Sequence, residues 1–483
     1  MFNIINFKIV FKVISRNLYI VSAALLVCAV FAFYISEKVY PFLLSSLIAF
    51  LPGIVFHFFT KKKGGDDIIQ RKEAYLTVTL SWFFISLAGS LPYILSGSIP
   101  SFNNAFFESV SGFSTTGASI LTDVEILPKS ILLWRSLTHW IGGIGIIVLV
   151  IIIMPSLHIG GYYLFTSESS MKEKILPKIK AVGVRLLIIY VLLTVAEIAL
   201  LIIGKMSLFD SICHAFGTVA TGGFSTKNSS LINYSPYIQY VVMIFMFLAG
   251  TNFLIHYYVL KRNFKKVREN EEVKFYLFVV LTIGILVSTI LFIKMEKPLE
   301  ESFREAFFQV ISIITCTGFA SADYLLWPVV GWIIIFFSMF LGGCIGSTSG
   351  GIKMARHLIV FKNFSRIFRQ ILSPNASIPI RLNKTILDED ATRSVLTFIS
   401  VYLMVFLLGS LALIILGIEG KTAASSVATC MANIGPGIGT VGPASNFAHL
   451  PEPGKLILSF LMIIGRLEIY TFFVLFSKNF WMK

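Results

Sequence analysis

The sequence predicts an all-α integral membrane protein: two leading transmembrane helices, then four repeats of helix, pore helix, filter loop and helix around a central pore, about ten spanning helices in all. Three observations predict it. Composition is the first: 56% of the 483 residues are apolar and 13% are charged, a balance that excludes a set of soluble domains. The second is the spacing of the apolar runs, and the third is a short glycine-bearing segment that returns four times.

Crossing roughly 30 Å of hydrocarbon takes about 20 helical residues. Runs of that length fall near 17–36, 39–59, 74–97, 130–153, 181–204, 236–260, 275–293, 328–346, 394–417 and 455–477. A formal charge of +15 invites a nucleic-acid reading, but its distribution argues against one. Basic residues gather in alternate loops, around 8–16, 61–72, 172–180, 261–268 and 356–384. By the positive-inside rule these loops and both termini are expected in the cytoplasm, with the chain embedded in an inner membrane and the lipid bilayer as its surroundings. The five cysteines show neither paired nor metal-ligand spacing, which points to reduced thiols. The first run follows a basic segment, yet its length and the poor cleavage box Leu25-Leu26-Val27 before Cys28 favour a retained helix over a cleaved leader.

The recurring segments lie at 106–119, 211–225, 307–321 and 425–439. Each is an apolar stretch too short to cross the bilayer, of the kind that dips in and returns, and it ends in a small-residue turn holding Gly117, Gly222, Gly318 or Gly435. The charge rule puts all four on the outer face. Helix starts are expected at Ser101 or Asn103, Asp210, Ser302 and Thr422, residue types that cap free N–H groups. The expected organisation is two helices in 1–73, then units at 74–177, 178–268, 269–390 and 391–483. The connection near 358–393, with a turn at Ser373-Pro374-Asn375, reads as a docking surface.

Irregular backbone survives at membrane depth only when buried in protein or lining a water-filled path. Four such loops therefore imply a pore. A K⁺ ion sheds its water only where carbonyl oxygens replace it, and four backbone strands supply a ring of them. Glycine reaches φ > 0 without steric cost, which lets successive carbonyls face one axis. The expected filter is Thr115, Thr116 and Gly117; Ala220, Thr221 and Gly222; Cys316, Thr317 and Gly318; and Asn433, Ile434 and Gly435, with K⁺ as the transported ion. Any one of these glycines could merely permit close helix packing; four at comparable spacing favour a filter. Pore helices aimed at the axis present partial negative charge there, and no ring of Arg or Lys suited to anions is present in the loops.

Two further features stand out. Gly342, Gly343, Gly346, Ser347, Thr348, Ser349, Gly350 and Gly351 cannot make a strong helix, since each glycine costs about 1 kcal/mol against alanine. The helix should break here, either as a gate below the filter or as a close-packing patch like Gly142-Gly143-Ile144-Gly145. Arg466 lies inside the last apolar run with Glu468 two residues on. It is either neutralised by an acid or by carbonyls, or it projects charge into the pore, and these can coexist.

Taken with the runs at 134–149, 346–353 and 465–471, the four loops resemble the TrkH/KtrB superfamily of bacterial K⁺ uptake proteins, and the two extra leading helices resemble its TrkH branch. The resemblance covers essentially the whole chain. It implies a homodimer with one pore per subunit, a filter glycine in each loop, an intramembrane gating loop at 342–351 and a pore-facing arginine at Arg466. It also implies a cytoplasmic ring partner of the TrkA/KtrA type that binds nucleotides; no nucleotide fingerprint occurs in this chain, so no organic cofactor is expected in it. Cys316 stands where the family more often has threonine, which raises the prospect of sensitivity to soft metals or thiol reagents. Rival readings are a coupled K⁺/H⁺ or K⁺/Na⁺ secondary transporter, for which one long interrupted helix and four parallel repeats are a poor match, and the K⁺-binding subunit of an ATP-driven pump, whose motor motif is missing. No constellation of catalytic residues suggests an enzyme.

Overall fold

A computed structural model describes residues 5–60, 70–157, 175–376 and 378–482. The basic loops at 61–69 and 172–174 fall outside the described residues. In chain order the helices are α1 (Phe7–Tyr34), α2 (Tyr40–Thr60), α3 (Arg71–Leu95), α4 (Phe102–Phe113), α5 (Lys129–Leu157), α6 (Ile175–Ile203), α7 (Leu208–Val219), α8 (Pro236–Ala249), α9 (Phe253–Leu260) and α10 (Phe264–Glu269). They continue with α11 (Glu271–Met295), α12 (Leu299–Ile314), α13 (Val329–Ser338), α14 (Met354–Leu372), α15 (Glu389–Ile415), α16 (Gly420–Ala432), α17 (Glu452–Arg466), α18 (Tyr470–Phe473) and α19 (Lys478–Trp481). A two-stranded hairpin, β1 (Arg381–Leu382) with β2 (Thr385–Ile386), precedes α15. The chain is a multi-pass, all-α membrane protein, as its composition predicts. Among the described residues six helices are long and apolar enough to cross a bilayer, and two bent pairs add to them.

The leading pair packs through small hydroxylated residues. Ser22 and Ser46 bond each other's side chain (2.8 Å) and backbone carbonyls, and the Ser15 hydroxyl donates to the Gly53 carbonyl at 2.7 Å. Such residues let helices approach closely where lipid offers no hydrophobic drive for association.

The short helices α4, α7, α12 and α16 are the re-entrant elements, and their inner turns are buried throughout. The first starts at Ser101 as expected. The other three start one turn earlier than Asp210, Ser302 and Thr422, at Ser207, Pro298 and Glu419. Those three polar residues lie inside the first turn and are engaged elsewhere: Asp210 accepts from Thr226 Oγ1 at 2.6 Å, Ser302 donates to the Lys297 carbonyl, and Thr422 accepts from the Thr440 N–H.

The helices after the re-entrant loops correct the sequence reading. The run at 236–260 is two helices meeting at 101°, and the run at 455–477 bends by 105° between Arg466 and Tyr470. In the third unit helix ends at Ser338, and residues up to Lys353 are irregular. Irregularity at this depth requires other partners for the freed backbone groups. The third unit's loop supplies them to the second: Cys344 N–H donates to the Gly250 carbonyl at 2.8 Å, and Gly346 accepts from Phe253 N–H at 3.1 Å.

Candidate functional site

All four re-entrant helices end in the same backbone knot. The N–H groups of Thr115, Thr221, Cys316 and Asn433 reach back three residues, and those of Thr116, Gly222, Thr317 and Ile434 reach back five, at 2.7–3.3 Å. These are the paired bonds that close a helix over a left-handed residue. The left-handed positions are Thr115, Thr221, Cys316 and Asn433, with φ between 53° and 57°, and two residues on stand Gly117, Gly223, Gly318 and Gly435, with φ of 81°, 81°, 82° and 102°.

This pattern fixes the register. In the second loop the equivalent triplet is Thr221-Gly222-Gly223, one residue beyond the expected Ala220-Thr221-Gly222. Gly223 carries the positive φ, while Gly222 is tight for a different reason: a Cβ there would strike the His139 ring at 2.5 Å. Ala220 belongs to the helix end. In the other three loops the expected triplets coincide with the structural ones.

The four loops meet in chain order around one axis. A Cβ added at Gly117 would collide with the Gly222 carbonyl oxygen, at Gly223 with that of Thr317, at Gly318 with that of Ile434, and at Gly435 with that of Thr116, the last at 2.7 Å. Each glycine thus makes room for the carbonyl of the next loop, and the circle closes. Outside the ring, Gly117, Gly223, Gly318 and Gly435 line one mouth, a cavity of about 150 Å³. Asn228 also lines it and donates to Asp123 at 2.8 Å; this bond, with one from Glu125 N–H, holds the exposed Asp123 carboxyl below its usual pKa, so it stays ionised to lower pH than a free aspartate.

Side chains absent from the sequence reading brace the loops from behind. Seven residues before each left-handed position stands a polar residue, Glu108, His214, Gln309 or Ser426; the first three hold their loops, whereas the Ser426 hydroxyl is buried without a hydrogen-bond partner. Glu108 accepts from Ser119 Oγ and Ile120 N–H, His214 Nε2 pairs with Ser225 Oγ at 3.0 Å, and Gln309 donates to the Ala322 carbonyl at 3.0 Å. Polar residues at one offset inside otherwise apolar helices were the available signal. Arg135 completes the first brace, pairing with Glu108 at 2.9 Å, donating to the Ser225 carbonyl and lying over the Phe224 ring. His139 joins the first two loops through the Gly112 carbonyl and the Phe224 N–H. Both members of the Arg135–Glu108 pair are almost wholly buried. Arg135→Met leaves a buried carboxyl without its partner and should lower stability by about 3–5 kcal/mol; thermal unfolding in detergent measures it, and a change below about 1 kcal/mol would contradict the bracing role.

Beneath the ring, the segment 342–351 touches the second and fourth units as well as its own. Thr348 Oγ1 donates to the Val219 carbonyl at 3.0 Å and to that of Ala249 at 3.3 Å. Gly350 abuts the Ala432 carbonyl, and Gly351 faces the Cys316 thiol. That thiol therefore points at the segment, while the Cys316 backbone belongs to the loop. Ser349 Oγ accepts from Gly343 N–H at 2.8 Å, and the Glu272 carboxylate accepts from Ile345 N–H at 2.6 Å and Ala355 N–H at 3.2 Å, pinning both ends. Arg466, 2% exposed, donates to the Thr348 carbonyl at 2.9 Å and the Gly142 carbonyl at 3.4 Å. Of the neutralising partners considered for Arg466, carbonyls are the ones present; Glu468 pairs with Arg356 instead. Gly142 and Gly143 also serve close packing, against the Phe113 carbonyl and Ala220.

The sequence profile of the TrkH family, described as cation transport protein, matches residues 42–483. The chain is 37% identical to the Trk system potassium uptake protein TrkH of Salmonella typhimurium over 441 residues, 90% of each chain. The chain belongs to the TrkH family. The TrkG protein of the Escherichia coli Trk potassium uptake system is 34% identical over 93% of each chain. The crystal structure of the potassium transporter TrkH from Vibrio parahaemolyticus superposes with a TM-score of 0.90 at 30% identity, covering 99% of this chain and 100% of that one. Membership of the TrkH family bears out the resemblance drawn from the loop motifs, and the superposition bears out the fold class.

Proposed function

We propose that the protein takes up K⁺ across a bacterial inner membrane through the four-loop ring, with the cytoplasm on the side of the basic loops and both termini. The observation that carries this reading is the closed circle in which Gly117, Gly223, Gly318 and Gly435 each make way for a neighbouring loop's carbonyl. Backbone oxygens of Thr116, Gly222, Thr317 and Ile434 are then the ligands that stand in for water on K⁺. Each loop belongs to one of the units at 74–177, 178–268, 269–390 and 391–483. The relatives named for potassium uptake add the ion.

The segment 342–351 is the gate in this reading. Its contacts with the second, third and fourth units, and Arg466 clasping the Thr348 carbonyl, describe a closed position. A glycine-rich break can take a second arrangement at little backbone cost. The protein works as a homodimer with a cytoplasmic nucleotide-binding ring of the TrkA/KtrA type; the Trk system named in the relatives is consistent with further components.

Ion-coupled uptake, with H⁺ or Na⁺, is the second reading. The bends at 101° and 105° favour it, because interrupted helices at membrane depth are common at coupled transport sites and the chain has more of them than its hydropathy reveals. Reversal potentials of purified protein in bilayers, under K⁺ and Na⁺ gradients at two pH values, decide between them. A Nernstian K⁺ response without a pH term is expected for the channel reading, a pH- or Na⁺-dependent shift supports coupling, and no K⁺ current or uptake in either condition would overturn both.

A further inference from the structure

On the face carrying the basic loops, α14 presents two stripes. Phe361, Phe364, Phe368 and Ile371 recur at helical spacing and are each more than half exposed. One residue round the helix run Lys362, Arg366 and Arg369. The second stripe lines a cavity of about 440 Å³ between α14 and the segment entering β1, which adds Arg381. Ile380 and Leu382 are buried with Ile359 and Val395, so the far wall is fixed to the helices.

The cavity's charge is uncompensated. Lys362 is paired with Glu271 and also donates to the Arg381 carbonyl at 2.7 Å. Among the described residues, none of the three arginine side chains has an ion-pair partner, and Arg366 Nε is shielded from solvent without a hydrogen bond. Three guanidiniums around one hollow suit a phosphate, which accepts paired N–H bonds. The depth of the site indicates where the phosphate comes from. Phe361 lies against Phe275, ring centroids 5.8 Å apart, and Phe275 is in the second turn of the spanning helix α11. That level is the headgroup boundary, where an amphipathic helix with a basic flank rests.

We propose that this cavity binds the phosphate of an anionic phospholipid from the adjoining leaflet, whose acyl chains lie along the Phe361–Ile371 stripe. A second copy docked here about a twofold axis would set the same arginines against each other, which like charge opposes. The ligand ties α14 to the segment entering β1, and α14 directly follows the gating segment of the proposed function, so lipid composition reaches the gate through one helix.

Native mass spectrometry of the full chain, released from detergent containing phosphatidylglycerol or phosphatidylcholine, tests the proposal. Wild type should retain phosphatidylglycerol about tenfold over phosphatidylcholine. Arg366→Gln/Arg369→Gln should lose that preference with its unfolding temperature in lipid-free detergent unchanged; if the double variant fails to fold, the exposed Arg369→Gln alone should weaken it. Equal retention of the two lipids, an unaltered preference in the variants, displacement by inorganic phosphate alone, or a changed subunit number without a changed lipid count would each overturn it.

Discussion

Gly318→Ala should reduce ⁸⁶Rb⁺ uptake into proteoliposomes to background, the largest loss expected of any single methyl group in the protein. Two penalties coincide at this residue. Its φ of 82° costs an alanine about 1–2 kcal/mol in the left-handed region, and the new Cβ would overlap the Ile434 carbonyl oxygen and press on Pro436 at 2.9 Å. The chain can relieve the overlap only by turning the carbonyl away from the axis, which removes one quarter of the ring. Gly97→Ala is the control, since its φ is 76° but no atom lies within 4 Å of the added carbon. That variant should lose about 1 kcal/mol of stability and no uptake. Wild-type uptake and K⁺/Na⁺ discrimination in a folded Gly318→Ala protein would remove the third loop from the filter.

Arg466→Gln should raise K⁺ uptake and weaken its dependence on a cytoplasmic partner. At roughly 6 Å and an effective dielectric of about 20, one fixed charge opposes a passing cation by about 3 kcal/mol. The substitution also removes the clasp on the Thr348 carbonyl, so the segment below the ring loses a contact and the path loses a repelling charge together. Deleting residues 346–350 separates these effects: flux should rise with discrimination intact, because no filter residue is touched. A thermal scan runs beside the uptake assay. Lower uptake with a lower unfolding temperature in both variants would assign Arg466 and the segment to scaffold.

The spans and the four re-entrant elements were legible because both depend on local pattern, a long apolar run in one case and a short apolar helix ending in glycine in the other. The loop register read from the sequence coincides with the backbone pattern in three units and falls one residue short in the second, where Gly222 stands beside Gly223 and only Gly223 carries the positive φ. The bond from the Gly222 N–H back to the Gly217 carbonyl, at 2.7 Å, decides it, and hydropathy carries no trace of that bond. The bends were hidden for a related reason. Residues 236–260 pass for one span on hydropathy, although Gly250-Thr251-Asn252 interrupts the run and Asn252 caps the second helix by accepting from Leu254 N–H. The helix can stop at Gly250 because Cys344 and Gly346, about a hundred residues away, satisfy the freed backbone groups there. The glycine and the capping asparagine are the local mark of the break; the distant partners that sustain it leave none. The buried Arg135–Glu108 pair was in plain view as two charges in apolar runs, yet only the fold brings them to 2.9 Å.

The ring draws its four carbonyls from four different sequences, Thr115-Thr116-Gly117, Thr221-Gly222-Gly223, Cys316-Thr317-Gly318 and Asn433-Ile434-Gly435. In a fourfold assembly of identical subunits any substitution in the loop is imposed four times. Here each quadrant mutates alone. Side chains differ accordingly: Asn433 reaches across to Thr116 Oγ1 and to the Met462 carbonyl, and the Cys316 thiol meets the segment below. Only the glycines and the backbone path repeat. One gene holding all four quadrants can therefore retune a single corner of the carbonyl ring by a point mutation, a graded adjustment closed to a fourfold homomer.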